Sequence, residues 1–263
     1  MRFHFSLKIL VLSGLLYGCN GQNRTSIDAL QTDTLTYSYK KIDEHSNYFL
    51  KEDDRLDTTY FRAKYPIFKE GKINELITTI IHLEGDTSME DAAHRFINSY
   101  NEYVEENNGK STATWNRDLQ VDVVANTPIF LGIKTTQEEY TGGAHGDHFT
   151  LYSNFDRQSS KVITINDIIL EINKDKFIKI AEQYFRKQEG LGPDDSLNGK
   201  YFFEEGKFSL ADNFTLEKKD ILFHYNVYEI KSYAEGNTEL RVPYTIFKHL
   251  ISEKGLNYIN SIN

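Results

Sequence analysis

Cysteine is almost missing from this chain: Cys19 is the only one in 263 residues. One thiol rules out an intrachain disulfide and a thiolate metal cluster. Its place at the end of a leader-like stretch also removes it as a catalytic nucleophile. The chain has no Gly-x-Ser-x-Gly elbow, no phosphate loop and no His-Glu-x-x-His helix. No internal repeat stands out, and beyond the N-terminal stretch no run is apolar enough to span a bilayer. Basic residues are outnumbered, 30 Lys and Arg against 39 Asp and Glu, for a net charge of −9. That sign argues against nucleic acid and for cationic partners or plain solubility. With 39% hydrophobic and 13% aromatic residues, the chain can build a core, and packing alone must stabilise it. No cofactor is expected.

What the N-terminus does contain is a lipoprotein-type leader. Arg2 and Lys8 give a basic start, and Ile9 to Tyr17 give an apolar run shorter than the roughly 20 residues of a spanning helix. Leu16-Tyr17-Gly18-Cys19 then reads as a bacterial lipobox. Residues 1–18 are expected to be a signal peptide, Cys19 the lipidated residue and 19–33 a polar, flexible tether. Acyl chains bury about 0.8 kcal/mol per methylene, so a multiply acylated Cys19 would hold the protein on a membrane. The competing reading is an ordinary signal peptide with an incidental cysteine. Asn20 is not an inner-membrane retention aspartate, and no acidic run follows Cys19. The expected location is therefore the periplasmic face of an outer membrane.

From Leu35 the pattern alternates as strands do: Leu35, Tyr37 and Tyr39, then Tyr60 to Tyr65 before Pro66. Ile73, Leu76, Ile77, Ile80 and Ile81 predict one helix. Thr87 and Glu90 predict a capping box for a second, with its buried stripe at Ala92, Ala93, Phe96, Ile97, Tyr100 and Val104. Strands are predicted over about 112–124, 129–140 and 148–155, with Gly142-Gly143 supplying the turn between the last two. A helix over 174–187 carries Phe177, Ile178, Ile180, Ala181, Tyr184 and Phe185 inward. Three short strands (214–216, 221–225, 240–242) and a helix over 244–251 complete the pattern. Helices grouped among antiparallel strands make the fold class α+β: antiparallel sheets with helices packed on them.

Two segments carry a family likeness. Tyr140-Thr141-Gly142-Gly143-Ala144-His145-Gly146 matches the Y-T-G-G-A-H-G signature of the extracellular PdaC/RsiV-type domain. The run from Ile221 to Ile230, followed by Ser232-Tyr233-Ala234-Glu235-Gly236 and a strand ending in Pro243-Tyr244, resembles that family's second hallmark. Tyr65-Pro66 and Val162 to Asp167 also fit, so the likeness covers about Leu35 to Leu250. It implies an α+β body in two parts, 34–156 PdaC-like and 157–253 RsiV-like, at the bacterial cell envelope. It further implies binding of a lysozyme-like cationic protein or of peptidoglycan. The family includes a lysozyme-sensing ectodomain of an anti-sigma factor and the non-catalytic N-terminal region of a peptidoglycan deacetylase. Neither the membrane-signalling parts of the former nor a catalytic domain of the latter is expected here.

The residues expected to bind are Tyr140, Thr141, Gly142, Gly143, Ala144, His145 and Gly146, with Tyr228, Tyr233 and Gly236. Glycine-flanked amides can cradle an anion, and the same composition also serves a plain tight hairpin. His145 and His148 are the only close histidine pair. In an extended segment residues three apart face opposite sides, so no metal site is expected. Instead His145 is expected to bond within the turn and His148 to be solvated. Tyr228, Tyr233, Tyr244, Phe202 and Phe203 form either an exposed aromatic surface or core. The acidic pairs Glu138-Glu139, Asp194-Asp195 and Glu204-Glu205, and the run Glu52-Asp53-Asp54, suit electrostatic steering of a cation better than paired-carboxylate catalysis. A non-catalytic binding module is the first reading. An envelope hydrolase or deacetylase using His145 with nearby acids is the alternative, and a purely structural component the third.

Overall fold

The computed structural model describes residues 34–52, 54–81 and 85–263. The leader, Cys19 and the tether lie outside the described residues, as do Asp53 and His82. Alternation in the early body becomes a long hairpin, β1 (Tyr37–Glu52) antiparallel to β2 (Arg55–Phe68). Ile42, Phe61, Ala63 and Tyr65 fall on one face of it and are buried. Two helices cover that face. In α1 (Gly71–Ile81) the buried residues are Ile73, Ile77 and Ile81, four apart as a single helical stripe requires. The Asn74 amide ties its first turn to the strand, accepting from Phe68 N (2.8 Å) and donating to Phe68 O (2.9 Å). In α2 (Met89–Glu106) the expected stripe is buried throughout.

The cap of α2 differs from expectation by one residue. Ser88, in extended conformation, accepts from Asp91 N at 3.1 Å, and Thr87 Oγ1 bonds the Asp91 carboxylate. Glu90 is drawn instead to Lys40 on β1. Tertiary pairing thus removes the acid that local spacing assigned to the capping box.

Four more strands complete the first sheet: β3 (Asn116–Asn126), β4 (Phe130–Tyr140), β5 (Asp147–Asp156) and β6 (Lys161–Val162). The order is β1-β2-β3-β4-β5-β6. Against the all-antiparallel expectation, β2 and β3 run parallel, with Tyr60 opposite Asn116 and Lys64 opposite Gln120. The physical reason is the crossover: α1 and α2 carry the chain back to the end where β2 began.

After a short helix α3 (Ile165–Ile168), helix α4 (Lys174–Gln188) packs on a second, antiparallel sheet. Its strands are β7 (Phe214–Leu216), β8 (Asp220–Tyr225) and β9 (Thr238–Pro243). Phe177 of α4 meets Phe223 of β8, with ring centroids 6.0 Å apart. Helix α5 (Tyr244–Phe247) follows, and Phe247 meets Phe177 at 4.7 Å. The described residues form one compact unit holding two hydrophobic clusters, one under each sheet. Phe130 on β4 already belongs to the second cluster.

A last helix, α6 (Glu253–Ile262), was not anticipated from the sequence. Its apolar positions sit among Asn257, Asn260 and Ser261, which dilute the pattern. Ser252 caps it, accepting from Gly255 N at 2.8 Å. Gly255 is buried so tightly that a Cβ there would lie 2.8 Å from the Ile168 carbonyl oxygen. No helix among the described residues is long and apolar enough to cross a membrane.

Candidate functional site

The β4–β5 hairpin brings Tyr140 to Gly146 to the surface. Gly142 and Gly143 have φ of 105° and 100°, conformations that side chains disfavour. Tyr140 closes the turn by donating its hydroxyl to Gly143 O (3.0 Å). Gly146 is needed for a different reason: a Cβ there would sit 2.7 Å from Glu139 O. Gly146→Ala is therefore expected to cost about 2 kcal/mol through overpacking, while Gly71→Ala, in open space, is neutral. Urea midpoints measure this, and equal midpoints for the two variants would reject the close approach.

The second segment lies between β8 and β9. Ile230 and Val227 are buried and pin it down. Ser232 and Glu235 form a reciprocal capping box over one turn, and Gly236 leaves it at φ 73°. Lys231 pairs with Glu189, the residue capping the end of α4, at 2.6 Å, both largely shielded from water, and Tyr201 donates its hydroxyl to the same carboxylate (2.9 Å). Tyr228 is 56% exposed and non-glycine at φ 66°. Backbone strain of this kind persists only where surrounding contacts enforce it. Here its N–H donates to Lys231 O (3.0 Å).

These two segments, 83 positions apart, meet. The rings of His145 and Tyr233 stack at 4.1 Å and 21°. Tyr228 lies 5.7 Å from Tyr233, and its hydroxyl is 3.3 Å from His145 Nε2. His145 Nδ1 bonds Gly146 O at 2.9 Å, so the network assigns the proton to Nδ1 and leaves Nε2 to accept from Tyr228. His145 thus bonds within its turn as expected. His148 is not simply solvated: its ring sits edge-on to Tyr233 at 5.4 Å.

Of the other expected aromatics, Phe202 is exposed beside the loop, its N–H donating to Ile230 O (3.0 Å). Phe203 and Tyr244 are buried and belong to the core, which decides for the core alternative at these two positions. Phe203 is enclosed by Phe185, Phe208 and Tyr225. No group of three His, Cys, Asp or Glu among the described residues is placed to hold a metal.

Sequence reading missed what holds the two segments together. β5 has no backbone partner along most of its outer edge, and asparagine amides take that place. Asn226 accepts from Thr150 N (2.7 Å) and donates to Thr150 O (3.1 Å). Asn213 accepts from Tyr152 N (2.8 Å) and donates to Thr150 O (2.7 Å). Asn154 donates to Phe214 O (2.7 Å). Beside these amides His224 is 97% enclosed, its backbone N–H donating to Asn213 O (2.8 Å) and neither ring nitrogen within hydrogen-bond geometry of another described residue. Burial holds its pKa below the ordinary 6.5, although Glu239, 3.7 Å away, pulls the other way.

Comparisons with known proteins divide at this seam. Residues 50–148 match the family model described as "Deacetylase PdaC", and residues 166–245 match "Protein of unknown function (DUF3298)". The chain is 20% identical over 272 residues to the peptidoglycan-N-acetylmuramic acid deacetylase PdaC of Bacillus subtilis (strain 168). That alignment covers 99% of this chain and 52% of the relative, so the chain spans about half of that protein's length. Among solved structures, a DUF3298 family member from Bacteroides fragilis NCTC 9343 aligns at TM-score 0.67 and 20% identity, covering 87% of this chain and 97% of that one. A DUF3298 family protein from Pseudomonas aeruginosa PAO1 aligns at TM-score 0.62 and 17% identity, over 85% and 97%. Both show the same fold. The turn at Tyr140–Gly146 falls in the first matched region and the loop at Tyr228–Gly236 in the second, so the chain is similar to the PdaC model over its first part and to the DUF3298 model over its second.

Proposed function

We propose that this protein is a non-catalytic binding module of the bacterial cell envelope, held to a membrane through lipid on Cys19, and that its ligand is cell-wall glycan. The observation that carries this reading is the surface stack of exposed His145 on half-buried Tyr233, flanked by Tyr228 and His148. Flat rings with polar edges suit the apolar faces and hydroxyl rims of sugars. The peptidoglycan deacetylase likeness supports the same ligand class. Both ring nitrogens of His145 are engaged by Gly146 and Tyr228, and among the described residues no carboxylate bonds the ring. That arrangement supports binding over the hydrolase or deacetylase alternative, since a general base needs a free nitrogen near its target. The site lies on the periplasmic face of an outer membrane in this reading.

Tyr233→Ala is expected to lower retention on purified peptidoglycan sacculi at least tenfold with the melting curve unchanged. Retention equal to wild type would remove the glycan reading. A lysozyme-like cationic protein is the second reading, favoured by the net charge of −9. Its signature is a complex that weakens steeply between low and high salt, whereas sugar binding does not.

A further inference from the structure

Helices α1 and α2 cover one face of the first sheet, and α6 meets the opposite face only at the Phe130 end of β4, where the Tyr258 ring lies 5.8 Å from that of Phe130. Away from that end the opposite face carries no helix, and its composition is unusual. Register puts Asn116, Asp118, Gln120 and Asp122 of β3 on it, alternating with the buried Leu119 and Val121. Tyrosines mark its four corners: Tyr60 and Tyr140 align with Asn116, and Tyr152 aligns with Lys134 beside Asp122, across from Tyr39. Tyr39 reaches the Asp122 carboxylate at 3.5 Å.

The charges on this face cancel. Its acids are Asp43, Asp118, Asp122 and Glu138, and its bases are Lys41, Arg62, Lys64 and Lys134. A chain of net charge −9 thus presents a neutral field here. Neutrality disfavours both a cationic protein and a nucleic acid, each of which needs charge of one sign. Asn116, Asp118 and Glu138 are held in place by the strands, with Asp118 opposite Arg62 and Glu138 opposite His148, so the row presents fixed donors and acceptors. Two landmarks bound the face. Glu138 pairs with His148, which touches Tyr233 of the aromatic cluster. At the other end Lys134 and Tyr152 open onto a cavity of about 580 Å³ walled by Thr215 of β7, by Glu217 just after it, and by Ser261 and Ile262 of α6. From His148 to Tyr152 is two pleats, about 14 Å.

We infer that this face of β2, β3 and β4 is a track for an extended, uncharged sugar chain, entered at the His145–Tyr233 stack and ending at the Tyr152 recess. The inference rests on the glycan reading of the aromatic cluster and adds a length requirement to it. A short sugar occupies the stack alone. A longer one also lies across β3 and β4, where the amide and carboxylate groups meet its hydroxyls and the corner tyrosines meet its ring faces.

The test is isothermal titration of the purified protein with N-acetylglucosamine oligomers, disaccharide to hexasaccharide, at low and high salt. Affinity should rise about tenfold or more from disaccharide to hexasaccharide and change little with salt. The double variant Asn116→Ala/Gln120→Ala should lose that gain and keep disaccharide binding. Tyr233→Ala should lose binding at every length. Thermal melts confirm that each variant folds. Disaccharide binding with no gain at greater length overturns the track and leaves the cluster reading standing. So does a gain untouched by the double variant. No binding at any length overturns both.

Discussion

Replacing Asp156 by alanine is expected to lower the unfolding free energy by about 3 kcal/mol and the melting temperature by roughly 6–12 °C. Asp156 stands at the end of β5 and is buried. It accepts from Tyr258 Oη of α6, from Gln158 N (2.9 Å) and from Ser159 N (2.8 Å), and Lys254 lies 3.3 Å away. Truncation strands a buried phenol and two amides, the costly way to lose a hydrogen bond. The same group gives the protein an acid limit. Burial alone would raise its pKa, but the bonds from Tyr258 and Ser159 prevail and hold it at about 2, below its ordinary 3.8. A depressed carboxyl stabilises the fold above the unfolded value, and that contribution, about 2 kcal/mol, vanishes as pH falls through about 2.

His224 acts earlier in the same titration. Its folded pKa is lowered from 6.5, so the unfolded chain takes up the proton first and stability begins to fall below pH 6.5. Urea unfolding followed by Trp115, the single tryptophan, should therefore show two losses on acidification. Asp156→Ala should erase only the lower one. An acid profile identical in the variant would refute the assignment.

Asn226→Ala is expected to cost about 2 kcal/mol and to weaken ligand binding about tenfold, although Asn226 does not belong to the ring stack. The variant leaves Thr150 N without an acceptor but keeps the bond from Asn213 to Thr150 O. Asn213→Ala should behave comparably in stability. The double variant should lose more than the two added together, because only then does Thr150 O have no partner. Denaturant midpoints give the coupling, and hydrogen exchange at Thr150 N reports it locally. Strict additivity would mean the amides are not sharing that carbonyl.

The parts that sequence disclosed were those with short-range causes. Alternation around Leu119 and Val121 and the four-residue spacing of Ile73, Ile77 and Ile81 depend only on which face of an element is buried. Glycines at 142 and 143 announce a turn for steric reasons. Aromatics were harder: Tyr228 and Tyr244 look alike on the page, and only packing separates an exposed ring from a core one. The junction of the two motifs was hidden for another reason. Asn213 and Asn226 act through side-chain amides that imitate a strand, and no periodicity marks such residues. Strand order was equally hidden, since alternation says which face a residue takes but not which neighbour it finds. The α2 cap was missed because Lys40, distant in sequence, claims Glu90.

The parallel pairing of β2 with β3 also sets the order of assembly. The β1–β2 hairpin and the β3–β4–β5 meander each close over a few residues and can form in microseconds. Joining them requires the whole helical crossover to be in place, at a loop-closure entropy that neither piece offsets alone. The rate-limiting step of folding should therefore be the docking of α1 and α2 that welds two ready-made ribbons side by side. The open face that we assign to sugar binding has no continuous floor until that weld is made.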